Sequence, residues 1–426
     1  MLNLDGFQPC CEGGPKTVPT TSLLADSAHN ENVDTVFSPF NKLYQIQVGF
    51  FFYASKGVKI LLVYKEVFEY DDLLAIVFLC GSKYEKGNLH DKRNVLKNYL
   101  EVNISGCHAI ILEENFWFRS TNMQYLSYDD IFLKSLAHIE QLASLFANKI
   151  IIIHESISTA AELGMFAIDP SLSEKICLLT PDDISIDEKK VSMFIKLAFM
   201  NRKSPETRIG KQIIFFPDVY VNRISTEKSD YHTFFHNNEI GQNLGNEILS
   251  FVKPTKMKYF IKFNKSSFGK STATSNQIDY HINIKNEELV VYIHPDALKI
   301  QLLSMFFVDE YKKEFRLYKA IKIHVTYICE IYEKLLLSTI TSLEGIELHS
   351  FKLKVDLKNT FCTLRQSAGY FLYMLQAAKL IGLEQEADSE YSKRRIRLTM
   401  TLENYRDQVK PYIYEKKETA FGRLSI

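Results

Sequence analysis

The stretch Ile150-Ile-Ile-Ile-His-Glu-Ser-Ile-Ser-Thr-Ala-Ala-Glu-Leu-Gly-Met-Phe-Ala167 decides the fold. Its apolar run stops abruptly at Glu155-Ser156. A short Ser/Thr segment follows, then Ala161-Glu162-Leu163-Gly164. This reads as a buried parallel strand, a tight polar loop and the first turn of a helix. Ligands of open α/β sheets bind outside the carboxyl ends of the strands. Two carboxylates, Glu155 and Glu162, therefore stand where a site belongs, and Glu162 is the candidate nucleophile.

Outward from this stretch the same alternation repeats. Residues 73–79 predict a buried strand, and Cys80-Gly81-Ser82 a turn. Residues 92–100 predict a helix, and 108–112 a second strand closed by Glu113-Glu114-Asn115. Residues 128–146 form an amphipathic pattern with Ile131, Leu136, Ile139, Leu142, Ala143 and Phe146 near one face. Strands at 149–153 and 175–179 flank a helix through 163–167, and a further helix is expected at 185–200. Strands alternating with helices of this length imply βαβ units and a parallel sheet.

The flanks read differently. Residues 1–36 lack hydrophobic periodicity and predict a loose arm; 48–53 and 58–64 are lead-in strands. Past residue 205, Ile213-Ile-Phe-Phe216 and Val219-Tyr-Val221 look like strands. Residues 250–278 hold six lysines and no acid, with Lys256, Lys258, Lys262 and Lys265 interleaved with Tyr259, Phe260 and Phe263. Such a stretch can contact phosphates and stack bases, or be an exposed sheet with solvated lysines. A hairpin at 278–293 and helices from Pro295 to about 338 follow. At the end, a helix over 364–380 closed by Gly382, a polar segment and a strand over 394–401 suggest a winged helix. Residues 351–426 carry 14 Lys/Arg against 9 Asp/Glu. Lys393, Arg394, Arg395 and Arg397 thus become candidates for gripping a nucleic-acid backbone. The expected organisation is an α/β protein in four segments. These are an arm with lead-in strands (1–70), a Rossmann-like parallel-sheet domain (71–200), a basic α+β insert (201–345) and a winged-helix-like domain (346–426).

Composition narrows the class. The chain has 426 residues with 51 basic and 51 acidic side chains, so net charge says nothing about partners. Seven cysteines are scattered without a recurring CxxC spacing, which argues against a zinc finger or a disulfide framework and for a reducing, cytoplasmic setting. No signal peptide is read at the amino terminus. The most apolar early stretch, 46–63, is interrupted by Lys56 and Lys59, so no membrane partner is expected. No metal-ligand spacing surrounds His108 or His154.

Three pieces in order carry a family likeness: Phe78-Leu-Cys-Gly81, Leu112-Glu-Glu-Asn-Phe116, and Glu155 through Ala167, with a helix containing Glu140 between the last two. Together they resemble the nucleoside deoxyribosyltransferase-like domain, most closely the version in toxic effectors of bacterial retrons, which precedes a winged-helix-like DNA-binding domain. The resemblance covers residues 73–180, and 350–405 by pattern. It implies that Glu162 attacks an anomeric carbon to form a covalent glycosyl-enzyme. It also implies that Cys80 and Gly81 border the pocket with Glu114 and Glu155. Ser82, Glu140, Ser156, Ser158 and Thr159 complete the candidate substrate-binding set. The implied substrate is a nucleotide, nucleoside or NAD, with no resident cofactor. The implied partners are a reverse transcriptase and its RNA–single-stranded DNA hybrid, in a homo-oligomer. Relatives of the retron type show Glu-Ser-Pro-Gly in the third loop, where this chain has Ile157-Ser158 after Glu155-Ser156. They have an acid before the third strand, where this chain has Asn148.

Chemistry leaves alternatives open. A carboxylate on one face of an oxocarbenium-like transition state can trap it covalently, and a helix N-terminus would keep Glu162 ionised. Yet Thr159-Ala-Ala-Glu162 is also a capping box, with Thr159 as N-cap and Glu162 reaching back. Cys80 alone is more often a small core residue than a nucleophile. Besides an N-glycosidase, the chain fits a non-catalytic nucleotide-sensing and nucleic-acid-binding module, or a regulator.

Overall fold

The apolar runs that alternate with helical segments pair side by side into one five-stranded parallel sheet. The computed structural model describes residues 50–53, 59–64, 69–71, 73–81, 84, 88, 91–115, 131–154, 156–167, 170–182, 212–217, 240–253, 256–258, 261–266, 273, 275–307, 309–357, 362–386, 393–409 and 413–418. Three short strands come first: β1 (Phe50–Tyr53), β2 (Lys59–Tyr64) and β3 (Glu69–Asp71). The parallel sheet is built from β4 (Ala75–Cys80), β5 (Cys107–Ile110), β6 (Lys149–Ile153), β7 (Ile176–Asp182) and β8 (Ile213–Pro217). Their spatial order is β5-β4-β6-β7-β8. This is a doubly wound order whose direction reverses between β4 and β6. The helices α1 (Lys92–Asn103), α2 (Leu112–Asn115), α3 (Leu136–Phe146), α4 (Ile157–Ala167), α5 (Pro170–Ser173) and α6 (Gln242–Val252) belong to this part of the chain.

Both faces of the sheet are apolar, so both must be covered. Ile76, Phe78, Ile150, Ile152, Ile176 and Leu178 point to one side. Val77, Leu79, Ile151, Ile153, Cys177 and Leu179 point to the other, against Leu96 and Leu100 of α1 and Ile248 and Val252 of α6. The first face meets Leu142 and Phe146 of α3, Leu163 and Phe166 of α4, and helices from much later in the chain. Chief among these are α7 (Pro295–Met305), buried at ten of its eleven positions, and α10 (Leu364–Ala377), buried at eleven of fourteen.

A four-stranded sheet takes the order β10-β11-β12-β14, from Lys262–Lys265, Gln277–Asn283, Glu288–Ile293 and Lys352–Leu357. The strand β9 (Lys256–Lys258) pairs antiparallel with β3. Towards the carboxyl end come α8 (Asp309–Phe315), β13 (Lys319–Ala320), α9 (Ile321–Glu344), then β15 (Ile381–Gln385), β16 (Lys393–Leu398), α11 (Met400–Val409) and β17 (Ile413–Glu418). β13, β16 and β15 form one small sheet, and β17 returns to pair with β2. Among the described residues no helix is long and apolar enough to cross a membrane.

Several local expectations are corrected. The helix expected from 128 begins at Leu136 with Ser135 as N-cap; Ile131 and Phe132 form a turn, with Phe132 at φ 65°. Glu113-Glu114-Asn115 do not merely close the second strand but form the short helix α2 with Leu112. Gly382 does not cap the helix before it: it lies within β15, and Lys379 at φ 56° takes the left-handed turn, donating its N–H to Gln376 O. The last basic strand ends at Leu398, with Met400 and Thr401 already in α11. The expected arm, the helix at 185–200 and the strand at 219–221 lie outside the described residues.

Residues 46–426 form one compact unit, and Phe371 of α10 is one reason. It is fully buried and meets the rings of Phe146 and Phe306, each at 6.0 Å between centroids. Phe371→Ala is expected to cost about 3–5 kcal/mol, seen in urea denaturation as one transition moving as a whole. A shift of only part of the amplitude would mean that the carboxyl-terminal helices unfold on their own.

Candidate active site

The strand-order reversal places a crevice between the carboxyl ends of β4 and β6. β4 delivers Cys80 and Gly81, β6 runs into His154 and the loop before α4, and β5 leads into α2 with Glu113 and Glu114. α1 starts beside this crevice because Asp91 caps it, accepting from the Arg93 N–H at 2.9 Å.

Helix α4 begins at Ile157, four residues earlier than the sequence suggests, so the capping-box reading of Thr159 and Glu162 falls. Thr159 is the third helical residue and fully buried. Its hydroxyl donates to Ser156 O at 2.6 Å, accepts from the Ser156 N–H at 3.2 Å, and lies 3.2 Å from His154 Nδ1. Thr159 thus holds the loop rather than capping the helix. The extra turn also removes Glu162 from the helix N-terminus, so the dipole does not keep it ionised. Burial, reinforced by the Glu113 carboxylate and opposed by Arg93, pushes the Glu162 carboxyl up to about 7. Its Oε2 is buried without a hydrogen-bond partner among the described residues. Burial, together with Glu162 and Glu113, holds the Cys80 thiol well above its ordinary value, so it stays a neutral neighbour.

Arg93 is 2 % exposed although charged, and its surroundings explain how. Its guanidinium pairs with Glu113 Oε1 at 2.9 Å and with Asp91 Oδ1 at 3.5 Å, and stacks over the Tyr84 ring at 4.9 Å. Gly81 makes room: a Cβ there would lie 3.1 Å from Arg93 Cδ and 3.2 Å from Nε. Lys97, one turn on, pairs with Glu114.

The predicted residues thus divide. Cys80, Gly81, Glu162, Ser156, Ser158 and Thr159 gather at this end of the sheet, with the Ser156 and Ser158 hydroxyls 2.7 Å apart. Glu114 lies there too but is taken up by Lys97, and it is its neighbour Glu113 whose charge acts on Glu162. Glu140 is half-buried on α3, a helix packed against α5, α7 and α10. Ser82 and Glu155 lie outside the described residues. The sequence reading missed Arg93, Glu113 and Tyr84. Asp91 before Lys92 was the available signal, since an N-cap aspartate starts α1 at the strand end. His154, whose burial lowers its proton affinity, keeps a structural place: its N–H donates to Leu179 O. Asn148 lies at the opposite end of the sheet. Its Oδ1 accepts from the Ile76 N–H at 3.0 Å and from buried Lys299 Nζ at 3.4 Å. Among the described residues no group of acids, histidines and cysteines could hold a metal.

The basic candidates are dispersed. Lys256 and Lys262 are exposed, and the Lys258 side chain lies outside what is described. Lys265 bonds Glu344. On the β15–β16 hairpin, Lys393, Arg395 and Arg397 alternate on one face, where Arg395 and Arg397 both bind Glu384. Arg394 faces inward, 3 % exposed, and its carbonyl accepts from buried His324.

A protein of Escherichia coli named "Retron Ec73 putative ribosyltransferase/DNA-binding protein" is 35% identical over 103 residues, which is 24% of this chain and 31% of that protein. The STM3845 retron effector protein family matches residues 89–383, more than two thirds of the chain. The match takes in Arg93, Glu113 and Glu162 but not Cys80 or Gly81, and the chain belongs to the STM3845 retron effector family.

Proposed function

We propose that this retron effector is an N-glycosidase of the nucleoside deoxyribosyltransferase kind, acting against phage by cleaving the base–sugar bond of a nucleotide, nucleoside or NAD. One observation carries the reading: Glu162 presents a buried carboxylate oxygen, without a partner among the described residues, at the crevice where the strand order reverses. Relatedness to a protein named a ribosyltransferase supports the same chemistry. In the proposed step a Glu162 oxygen bonds to the anomeric carbon as the carbon–nitrogen bond breaks. The bonding pair leaves with the base, which takes up a proton. Water then attacks the same carbon, frees the carboxylate and loses a proton to solvent. Only ionised Glu162 can attack, so the rate should fall about tenfold per pH unit below about 7.

A winged-helix-like carboxyl-terminal part is supported by the order α8-β13-α9-β14-α10-β15-β16, in which β14 leaves for the four-stranded sheet and β13 pairs on β16. In that reading α10 would be the recognition helix, but its burial leaves nucleic-acid contact to Lys393, Arg395 and Arg397 on the outward face of the hairpin. A reverse transcriptase and its RNA–single-stranded DNA hybrid are the proposed restraining partners, in a homo-oligomer in the cytoplasm. The competing reading is nucleotide sensing without turnover. It draws on the third loop, where 91 % exposed Ile157 stands in place of the proline of retron relatives.

Chromatography of free base decides between them. The full chain, with and without Glu162→Gln, is incubated with NAD and a panel of nucleotides beside a working glycosidase. Release of nicotinamide or a nucleobase by the wild type, lost at least a hundredfold in the variant, is expected; no release from either protein favours sensing.

Stability gives an independent check. The folded protein holds the Glu162 proton up to about 7, above the 4.5 of an unperturbed glutamate. The stabilisation from the protonated group is therefore complete below about pH 4.5 and lost as pH rises through about 7. Glu162→Gln mimics the neutral form. It should raise Tm at pH 8 and leave it unchanged near pH 4; equal Tm values at pH 8 would contradict the burial of this carboxylate.

A further inference from the structure

A glutamate that is half-buried, lies near a second carboxylate and has a buried oxygen without a hydrogen-bond partner among the described residues needs something to make it an anion at neutral pH. The described groups around Glu162 are few. β4 offers the neutral Cys80 thiol, α2 offers Glu113, α1 offers Arg93 with its cap Asp91, and the end of β6 offers neutral His154. Arg93 is the one cation among them whose charge acts on Glu162.

Everything about Arg93 is arranged for a fixed position. Its two carboxylate partners hold it from different elements, Asp91 from the cap of its own helix and Glu113 from α2. Tyr84 covers one side of the guanidinium, and the bare backbone of Gly81 lets it lie against the end of β4. A planar fork suits such a clamp, whereas a lysine ammonium would serve as a point charge. A plain tie between α1 and α2 would leave both partners in water, as the 51 % exposed Glu113 side chain is, and would not need Arg93 buried. Instead it is carried to the end of β4, beside Cys80 and within electrostatic reach of Glu162.

We infer that Arg93 and Glu113 are a positioning pair for the reaction at Glu162. Arg93 fixes the Glu113 carboxylate and, through the opposing charges of the pair, sets the fraction of Glu162 that stands ready as nucleophile. The inference builds on the proposed role of Glu162, but its mark is separable from turnover. Removing either partner moves the Glu162 titration, in opposite directions. Loss of Arg93 removes the charge that favours the anion, and loss of Glu113 removes the charge that opposes it.

The test needs no substrate. The carboxyl stretch of Glu162 is isolated by infrared difference between the wild-type full chain and Glu162→Gln, and followed from pH 4 to pH 10. In Arg93→Gln the Glu162 midpoint is expected to rise by about one pH unit, and in Glu113→Gln to fall by about one. Arg93→Lys, which keeps the charge and loses the fork, should return the midpoint towards the wild-type value. Glu113→Gln keeps the test decisive if Arg93→Gln does not fold. A Glu162 midpoint that stays at the wild-type value in Glu113→Gln, and in Arg93→Gln where it folds, with only Tm reduced, would make the pair a structural tie and overturn the inference. Base release that survives in Glu162→Gln would instead sink the nucleophile assignment while leaving the titration result standing.

Discussion

Strand β4 has the next strand in sequence on one side and, on the other, a strand reached only after two further crossovers. The helices leaving β4 and β6 must therefore diverge to opposite faces, and the gap between them is the crevice. The placement of Gly81, Arg93, Glu113 and Glu162 follows from that divergence. α1 departs to one face with Arg93 at its first turn, and α4 departs to the other with Glu162 in its second.

A sheet apolar on both faces needs a full layer of cover on each, and this chain recruits one layer from far along the sequence. α7 and α10 lie against the face built by Ile76, Phe78 and Ile152, so residues near 300 and 370 belong to the same core as residues near 75. Lys299 ties this layer to the sheet at its amino end, donating to Leu74 O at 3.1 Å and to Asn148 Oδ1. That contact explains Asn148 without reference to the crevice. The position where retron relatives carry an acid lies at the end of β6 opposite Glu162, where it fastens β4, β6 and α7 together.

How much of this was legible depended on periodicity and on capping. The inner strands were readable because a doubly buried strand is a short unbroken apolar run, as at Ile150 to Ile153. β8 was readable as a strand in Ile213 to Phe216 but not as a member of the sheet, since nothing local tells a strand its partner. The start of α4 was misplaced because Ser156 to Thr159 looks like loop chemistry. Thr159 can bond Ser156 from inside the helix as well as cap from outside it. The same ambiguity hid Glu113: in Glu113-Glu114 only the turn of α2 decides which carboxylate faces Arg93 and which faces Lys97. The buried hairpin residue Arg394 was hidden likewise, because four basic residues in six do not announce the strand register that turns one inward.

Structure also alters the weight on Glu162. As the closing member of a capping box, its carboxylate would be satisfied by the backbone and would need no further account. With α4 starting at Ile157 that partner is gone, and a buried oxygen is left without a donor among the described residues. Natural folds leave few such atoms, because a bare buried acceptor costs about 1–3 kcal/mol. The hydroxyls at the start of α4 do not supply one: Ser156, Ser158 and Thr159 bond one another and the loop. A buried carboxylate oxygen without a described partner, under the charges of Arg93 and Glu113 and at the strand-order reversal, has an unused lone pair, which is the property the proposed nucleophilic role calls for.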